Sequence, residues 1–431
     1  MSSARRRARG LLLDVSPLRF DRDFRWLWSG QVVGGIGNQV TRIVLPYQVY
    51  VLTGSTLAIA ALTLCQLIPI LVVSLGAGSL ADAVDRRRVI LVAQVGQALC
   101  SAALVALALQ PDPPLMWIFL VALIAAGLTA TEQPARSSSI PRLVPEERLP
   151  AAIALGQLNF QIASVIGPAI GGLLLATVGI AGAYAVDVVT FGASIAAALA
   201  IAPIPPVGNA VRPGLGAIRE GLAFAARRRV ILSTFVIDLD AMIFGMPQSL
   251  FPVLALDVFR VGPTGFGLLA AAPAVGALLG ALLSGWVSRI RRLGWSVVVA
   301  VSIWAAAITA FGLATFSAST VAFVLSMVFL AIAGAADVLS AVFRSTIVQL
   351  ATPDALRGRI SSLHMMAVTS GPRLGDIEAA AVASVIGAQL SALSGGVLCL
   401  VGVLIVARLF PELAAHESTV TSTNGRAPSI A

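Results

Sequence analysis

The sequence predicts an all-helical membrane protein built from two six-helix bundles, and three observations carry that prediction. Apolar runs recur about twelve times, each near the ~20 residues that a helix needs to cross a bilayer. The positive charge gathers in alternate gaps between these runs. Short sequence matches also repeat between the two halves of the chain. Charged residues are 11% of the chain, against ~25% in soluble domains, which excludes an ordinary soluble protein.

The apolar runs give the predicted helices in order along the chain. We place the spans at residues 26–51, 57–81, 89–109, 115–135, 150–176, 181–202, 230–256, 264–288, 294–314, 319–341, 359–385 and 390–408. A proline- and arginine-rich loop follows the sixth span. The predicted organisation is a cytoplasmic segment at 1–25, a bundle at 26–202, a cytoplasmic linker at 203–229, a second bundle at 230–409, and a disordered cytoplasmic tail at 410–431.

The distribution of basic residues predicts how the chain is threaded. All 29 basic residues are arginine, and apart from Arg42 and Arg373 inside spans nearly all lie before the first span, in the even-numbered gaps or near the C-terminal end. The odd-numbered gaps hold only Arg260. Because basic loops stay in the cytoplasm, both termini are predicted to be cytoplasmic. The net charge of +9 is therefore interpreted as a topology signal, and no nucleic-acid partner is expected.

Cysteine and histidine are too sparse to indicate a metal site, a disulfide framework or a cofactor. The three cysteines all lie inside apolar runs, where they are expected to be small packing residues, and the two histidines are far apart in the sequence.

The two halves share a sequence pattern at an offset of about 204 to 208 residues. Leu45-Pro46 recurs as Phe251-Pro252, and Gly167-Pro168 with Gly171 recurs as Gly371-Pro372 with Gly375. With six spans each, both halves insert the same way round. A parallel repeat of two six-helix bundles is the plan of major facilitator transporters, which bind substrate between the halves.

The second gap resembles the major facilitator signature between helices 2 and 3. Its residues are Gly78, Asp82, Asp85, Arg86 and Arg87. Asp85 stands where the signature usually has glycine, and Ala83 where it usually has a basic residue. The resemblance implies a gating motif in which Asp82 latches to the positive start of helix 11 in one access state. Alternatively, Asp82 and Asp85 only neutralise the neighbouring arginines.

The fifth helix carries Gly167, Pro168, Gly171 and Gly172, which is similar to the proline-glycine motif of exporters that exchange drug for proton. Proline kinks a helix and glycine allows close helix packing. The upstream glycines of that motif are absent, since Ala154 and Ala163 occupy their places.

Over nearly its whole length, the chain resembles the siderophore and macrolide efflux branch of the major facilitator superfamily. The matching stretches are residues 136–172, 238–256, 342–359 and 370–376. The resemblance implies a bacterial inner-membrane, proton-coupled exporter that is not an enzyme. It would move a siderophore-like or drug-like molecule by alternating access, and the fold usually works as a monomer. The alternative is an importer of a nutrient or metabolite with the same fold.

Ionisable groups inside the membrane cost at least ~2.5–3.5 kcal/mol each on insertion scales, so each needs a reason. One hypothesis is a carboxylate that exchanges protons as substrate moves, with Asp187 and Asp238 ranked before Asp376 and Glu378. The other is a structural pair between helices, which is favoured for Asp337 and Arg344.

The sequence also offers candidates for the wall of a substrate cavity. They are Arg42, Asn38, Tyr47, Gln48, Phe160, Gln161, Phe244, Gln248 and Arg373. The two arginines would attract an anionic cargo such as a catecholate, whereas a hydrophobic cargo would be held by the apolar and aromatic side chains. The expected partners are thus a small molecule, protons and the lipid bilayer.

Overall fold

The computed structural model describes residues 14–205 and 222–415, apart from the side chains of residues 74–83, 286, 288, 289, 354, 355, 357–359, 361 and 362. Within this part of the chain, twelve helices of 16 residues or more follow one another. They are α1 Arg22–Thr53, α2 Thr56–Ala83, α3 Arg86–Ala108, α4 Leu115–Leu143, α5 Leu149–Thr177, α6 Gly179–Leu199, α7 Arg229–Phe244, α8 Gly262–Leu282, α9 Leu293–Ala314, α10 Thr320–Ala351, α11 Asp354–Ile386 and α12 Ala388–Leu409.

Short helical segments join or extend these helices. Ser16–Phe20 precedes α1, and Glu146–Arg148 precedes α5. Beyond α7 the chain continues as a 3-10 turn at Gln248–Leu250, a single α-turn at Phe251–Val253 and a π-helical segment at Leu254–Val258. Ser284–Arg289 follows α8, and Pro411–Ala414 follows α12. The predicted all-helical fold is therefore confirmed.

Ten helical stretches are long and apolar enough to cross a membrane, with α7 counted together with its continuation to Val258. Helices α1 and α11 have 32 and 33 residues but carry more polar and charged side chains. Large apolar side chains such as Val92, Leu99 and Leu313 are exposed on the outer faces of the helices, where lipid would cover them. The count of twelve spans and the domain boundaries stay predictions.

Both halves pack their helices in the same pattern. In the first half, α1 contacts α5 and α6, α3 contacts α4 and α6, and α2 packs on α4. In the second half, α7 contacts α11 and α12, α9 contacts α10 and α12, and α8 packs on α10. Between the halves, α5 packs on α8, and α2 packs on α11. This pairing is the one that a parallel repeat related by a two-fold axis produces.

Four turns with positive-φ glycines show the same repeat. Gly54 ends α1 with a φ of 61°, and Gly262 begins α8 with a φ of 66°. Gly179 and Gly387, which begin the connections into α6 and α12, have φ values of 72° and 89°. Each pair is separated by the same 208 positions. Because L side chains rarely adopt positive φ, the duplication has kept glycine at both copies of each turn.

Candidate functional site

A cavity of about 440 Å³ lies between the two halves. The first half contributes residues of α1, α2 and α5 to its wall, and the second half contributes residues of α8, α9, α10 and α11 and of the interruption after α7. This volume lies within the range of ~300–1,000 Å³ that is common for small-molecule sites. A ligand in this cavity would touch both halves at once.

Four charged residues line the cavity: Arg42 on α1, Asp337 on α10, and Arg373 and Asp376 on α11. A guanidinium N–H of Arg373 donates to the carbonyl of Thr369 at 2.6 Å. Asp376 accepts a hydrogen bond from the backbone N–H of Ser249 at 2.9 Å. The cavity therefore holds charges of both signs at a depth where charge is costly.

The uncharged part of the wall combines side-chain amides with aromatic rings. The amides are Gln39, Gln66, Gln157, Gln161 and Gln248, and the rings are Phe160, Phe251, Phe266 and Trp304. Phe160 is 59% exposed, so its ring stands open in the cavity. Apolar walls with a few placed polar groups are typical of sites that bind small organic molecules.

The interruption of α7 leaves backbone groups without helical partners at this site, and side chains bind them instead. α7 ends at Phe244, and Gly245, Met246 and Pro247 separate it from the 3-10 turn that follows. The indole N–H of Trp304 donates to the carbonyl of Gly245 at 3.1 Å, while Asp376 binds the N–H of Ser249. A broken helix is tolerated inside a membrane where side chains satisfy the freed backbone groups, as they do here.

Several predicted cavity residues lie on the cavity wall, and others do not. Arg42, Phe160, Gln161, Gln248 and Arg373 line it. Tyr47 lies behind the wall, where its ring stacks on Phe266 with 5.5 Å between centroids.

The remaining three predicted cavity residues, Asn38, Gln48 and Phe244, are absent from the described lining. Gln48 is buried and accepts a hydrogen bond from the Tyr184 hydroxyl at 2.8 Å, which ties α1 to α6.

Asp187 lies inside the first half, away from the cavity. It is 1% exposed and accepts hydrogen bonds from Thr41 at 2.6 Å and from Ser101 at 2.7 Å. These contacts join α6 to α1 and α3. Neutral hydroxyl donors therefore surround this carboxylate, and no arginine contacts it in the described part of the chain.

Asp238 lies inside the second half, beside an arginine. A guanidinium nitrogen of Arg344 is 2.8 Å from Asp238 and 3.8 Å from Asp337. Arg344 and Asp238 are 2% and 1% exposed. The predicted neighbours Asp337 and Arg344 thus lie close together, with Asp238 as the nearer carboxylate. Of the four proton-coupling candidates, Asp376 lines the cavity, whereas Asp187, Asp238 and Glu378 do not.

Part of the predicted gating motif links the start of α3 to the end of α6 through hydrogen bonds. Asp85 accepts from the backbone N–H groups of Arg87 and Ile204, each at 3.0 Å. Arg87 donates to the carbonyls of Ala198 at 3.0 Å and Leu199 at 2.7 Å.

Arg86 is 7% exposed beside these contacts. The side chain of Asp82, and most side chains at the start of α11, lie outside the described residues, as does the packing around Gly78, so the latch stays a prediction.

The glycines of the fifth-helix motif pack against two partners. A Cβ atom placed on Gly167 would overlap the side chain of Gln39, and one on Gly171 would lie 2.7 Å from Cδ1 of Ile43. Both contacts are with α1.

Gly172 faces the other half instead, where its Cβ would lie 2.6 Å from the Cα atom of Gly267 on α8. A Cβ on Gly267 would in turn lie 2.7 Å from the carbonyl of Pro168. The two halves therefore meet here main chain to main chain.

Near the ends of α1 and α5 and the start of α8, three described contacts join the halves, in addition to the packing of α2 on α11. The Tyr50 hydroxyl donates to Asp257 in the π-helical segment. Tyr47 stacks on Phe266, and Gly172 touches Gly267. We call this group of contacts the closed end of the cavity.

Sequence reasoning missed Asp257, Gln39, Gln157 and Trp304. A helical stripe could have revealed some of them, because Gln157, Gln161, Ser164 and Pro168 share one face of α5, and all line the cavity.

Comparisons with known proteins agree with this architecture. A family model described as "Transmembrane secretion effector" matches residues 14–430. The chain is 28% identical over 400 residues to the enterobactin exporter of Shigella boydii serotype 18, with 92% of this chain and 94% of that protein covered. It is 28% identical over 422 residues to the enterobactin exporter of Escherichia coli O157:H7, with 96% and 99% covered.

Solved structures show the same fold. A bacterial homologue of the iron transporter ferroportin in its inward-facing state superposes with a TM-score of 0.70 at 16% identity, covering 92% of this chain and 99% of that one. A POT family transporter in complex with 5-aminolevulinic acid gives 0.73 at 13% identity, covering 91% and 97%.

Proposed function

The chain belongs to the transmembrane secretion effector family of major facilitator transporters, and we propose that it exports a siderophore-like or drug-like small molecule in exchange for protons. The observation that carries this proposal is the cavity between the halves. Both halves line it, and the contacts of the closed end join the halves beside it. Rocking of the halves about such a cavity would expose it to one side of the membrane and then to the other, which is alternating access.

The direction of transport rests on two supports. The similar curated proteins are enterobactin exporters, and the fifth helix carries the glycines that resemble an exporter motif. With both termini in the cytoplasm, as the arginine distribution predicts, the closed end faces away from the cytoplasm. The cavity would then receive cargo from the cytoplasmic side in this state, as an exporter requires.

Proton coupling needs a carboxylate that alternates between two environments. Asp376 is the candidate that lines the cavity, next to Arg42 and Arg373. Asp238 is the candidate whose partner is an arginine, so protonation would weaken its attraction to Arg344 and loosen α7 from α10. Asp187 and Glu378 are weaker candidates, because neither lines the cavity or pairs with an arginine among the described residues.

The proposal is tested in everted membrane vesicles that contain the chain. An imposed pH gradient, acidic inside, should drive accumulation of enterobactin or of a drug-like dye, and a protonophore should abolish it. Vesicles without the chain provide the control. If no candidate cargo accumulates under the gradient, the export proposal fails. Accumulation in right-side-out vesicles alone would instead favour an importer. We further propose that the chain works as a monomer and carries out no chemical reaction.

A further inference from the structure

We propose that Arg42 and Arg373 form an anion clamp across the two halves, so that the cargo is an acidic small molecule with an apolar body. The inference rests on the proposed transport function and names the substrate class of the same cavity. Arg42 belongs to α1 of the first half, and Arg373 belongs to α11 of the second. Both line the cavity.

The two arginines stand at nearly the same depth. Arg42 lies 11 residues before the end of α1, and Arg373 lies 13 residues before the end of α11. At 1.5 Å per residue, these positions are about 17 and 20 Å from the helix ends that adjoin the closed end. Asp337 is about 26 Å from the start of α10 by the same measure, so it lies deeper.

The cavity carboxylates already have partners in the protein. Asp376 accepts the N–H of Ser249, and Asp337 lies 3.8 Å from Arg344. The two cavity guanidiniums lie near Asp376, whose charge attracts both, but neither forms an ion pair with it or with another described carboxylate. Arg373 uses one N–H on the Thr369 carbonyl, and Arg42 donates no hydrogen bond among the described residues. Each guanidinium has five N–H donors, so most of them remain for a ligand.

The guanidinium groups repel each other across the gap between the halves, while Asp376 attracts each of them. An anion placed between the two guanidiniums would add two further attractions, one to each half. Hydrogen bonds to charged groups of this kind are stronger than those between neutral groups. Binding of an acidic group would therefore draw α1 and α11 together, which links cargo recognition to the movement of the halves.

The rest of the wall fits the body of such a cargo. Phe160 offers an open ring, Phe251, Phe266 and Trp304 form an apolar wall around it, and the glutamines offer hydrogen bonds to neutral oxygen and nitrogen atoms. The favoured ligand is therefore an aromatic or apolar acid rather than a small inorganic anion.

The test is equilibrium binding to the purified full chain in detergent, followed by fluorescence anisotropy. Fluorescein in alkaline buffer is the anionic probe. Tetramethylrhodamine methyl ester, which has the same ring system and a positive charge, is the matched control dye. We expect saturable fluorescein binding that weakens as salt is raised. Arg42→Gln and Arg373→Gln should each weaken it about tenfold or more. Arg42→Lys should keep part of the affinity, because it keeps the charge.

Arg142→Gln is the matched control variant, since Arg142 is exposed at the end of α4 and away from the cavity. It should bind fluorescein as the unmodified chain does. The clamp is wrong if fluorescein binds no more tightly than the cationic dye, or if both glutamine variants bind it normally. Transport of the cationic dye in vesicles, together with absent fluorescein binding, would refute the clamp and leave the export function standing. Failure of all vesicle transport would refute the function, while the binding result would still decide the clamp.

Discussion

The two halves of the molecule share one packing scheme but bury their charges differently. Gly167 and Gly171 allow α5 to pack closely on α1. Gly371 and Gly375 likewise allow α11 to pack closely on Met242 and Ile243 of α7. The first half buries Asp187 among hydroxyl groups, whereas the second half buries Asp238 against Arg344. The duplication has therefore kept the close helix contacts, while the polar chemistry has diverged. Function in such a fold is to be sought where the copies differ.

The largest loss of stability is expected when the charge pair of the second half is broken. Asp238→Asn leaves the Arg344 guanidinium buried without its nearest carboxylate, so we expect a loss of about 3–5 kcal/mol in stability. Asp187→Asn keeps an oxygen that accepts from Thr41 and Ser101, so we expect a loss of about 1 kcal/mol. Thermal unfolding of the purified variants measures both. Equal losses would contradict the contrast between the halves.

A smaller effect is expected where the halves touch. Gly267→Ala forces a methyl group against the main chain of α5, which should cost about 1–3 kcal/mol in the closed arrangement and slow transport. Gly156→Ala is the control on α5, because a Cβ there meets nothing within 4 Å. Vesicle transport rates compare the two. A normal rate for Gly267→Ala would mean that this contact opens or closes without consequence.

The third prediction concerns the break after α7, which has no counterpart in α1. Asp376→Asn weakens the charged acceptor of the Ser249 N–H, and we expect transport to lose its response to an imposed pH gradient. Asp85→Asn alters another aspartate that accepts backbone N–H groups but lies away from the cavity, and it should keep that response. Transport rates measured with and without the pH gradient compare the two variants. If Asp376→Asn still responded to the gradient as the unmodified chain does, this residue would have no part in coupling.

The smallest effect is expected at the closed end. Tyr50→Phe removes the hydroxyl that donates to Asp257 but keeps the ring, so we expect a shift of about 1 kcal/mol toward opening of that end. A cysteine introduced at Ser384, near the same end of the molecule, should therefore be labelled faster in the Tyr50→Phe variant than in the chain that keeps Tyr50. Thr177→Val, which removes a hydroxyl bonded to a carbonyl within α5, serves as the control and should leave the labelling rate unchanged.

The fold could be predicted from the sequence because lipid imposes a strong constraint on it. Runs of ~20 apolar residues, arginine-rich gaps and repeated proline-glycine motifs each report on the whole chain. Most helices of the structure begin and end near the predicted spans, but α4 continues to Leu143, α7 ends at Phe244, and α10 continues to Ala351 and carries Arg344 inside the helix. Here a basic residue that had been placed in a cytoplasmic gap is buried against Asp238.

The site was harder to predict, because its geometry depends on contacts between distant helices. Arg42 and Arg373 were identified as intramembrane charges, which are costly wherever they occur. Their position on opposite walls of one cavity depends on how the halves pack. Gln48 illustrates the opposite case: it was predicted to line the cavity, but it accepts a hydrogen bond from Tyr184 inside its own half. Sequence gives the cost of a polar group but not the partner that offsets it.

The contact between Gly172 and Gly267 bears on how the membrane stays tight to ions. Main-chain atoms that touch without intervening side chains leave no room for water between α5 and α8 at this point. In the exporter proposed above, this contact would keep water, and the protons that move along it, out of this part of the boundary between the halves.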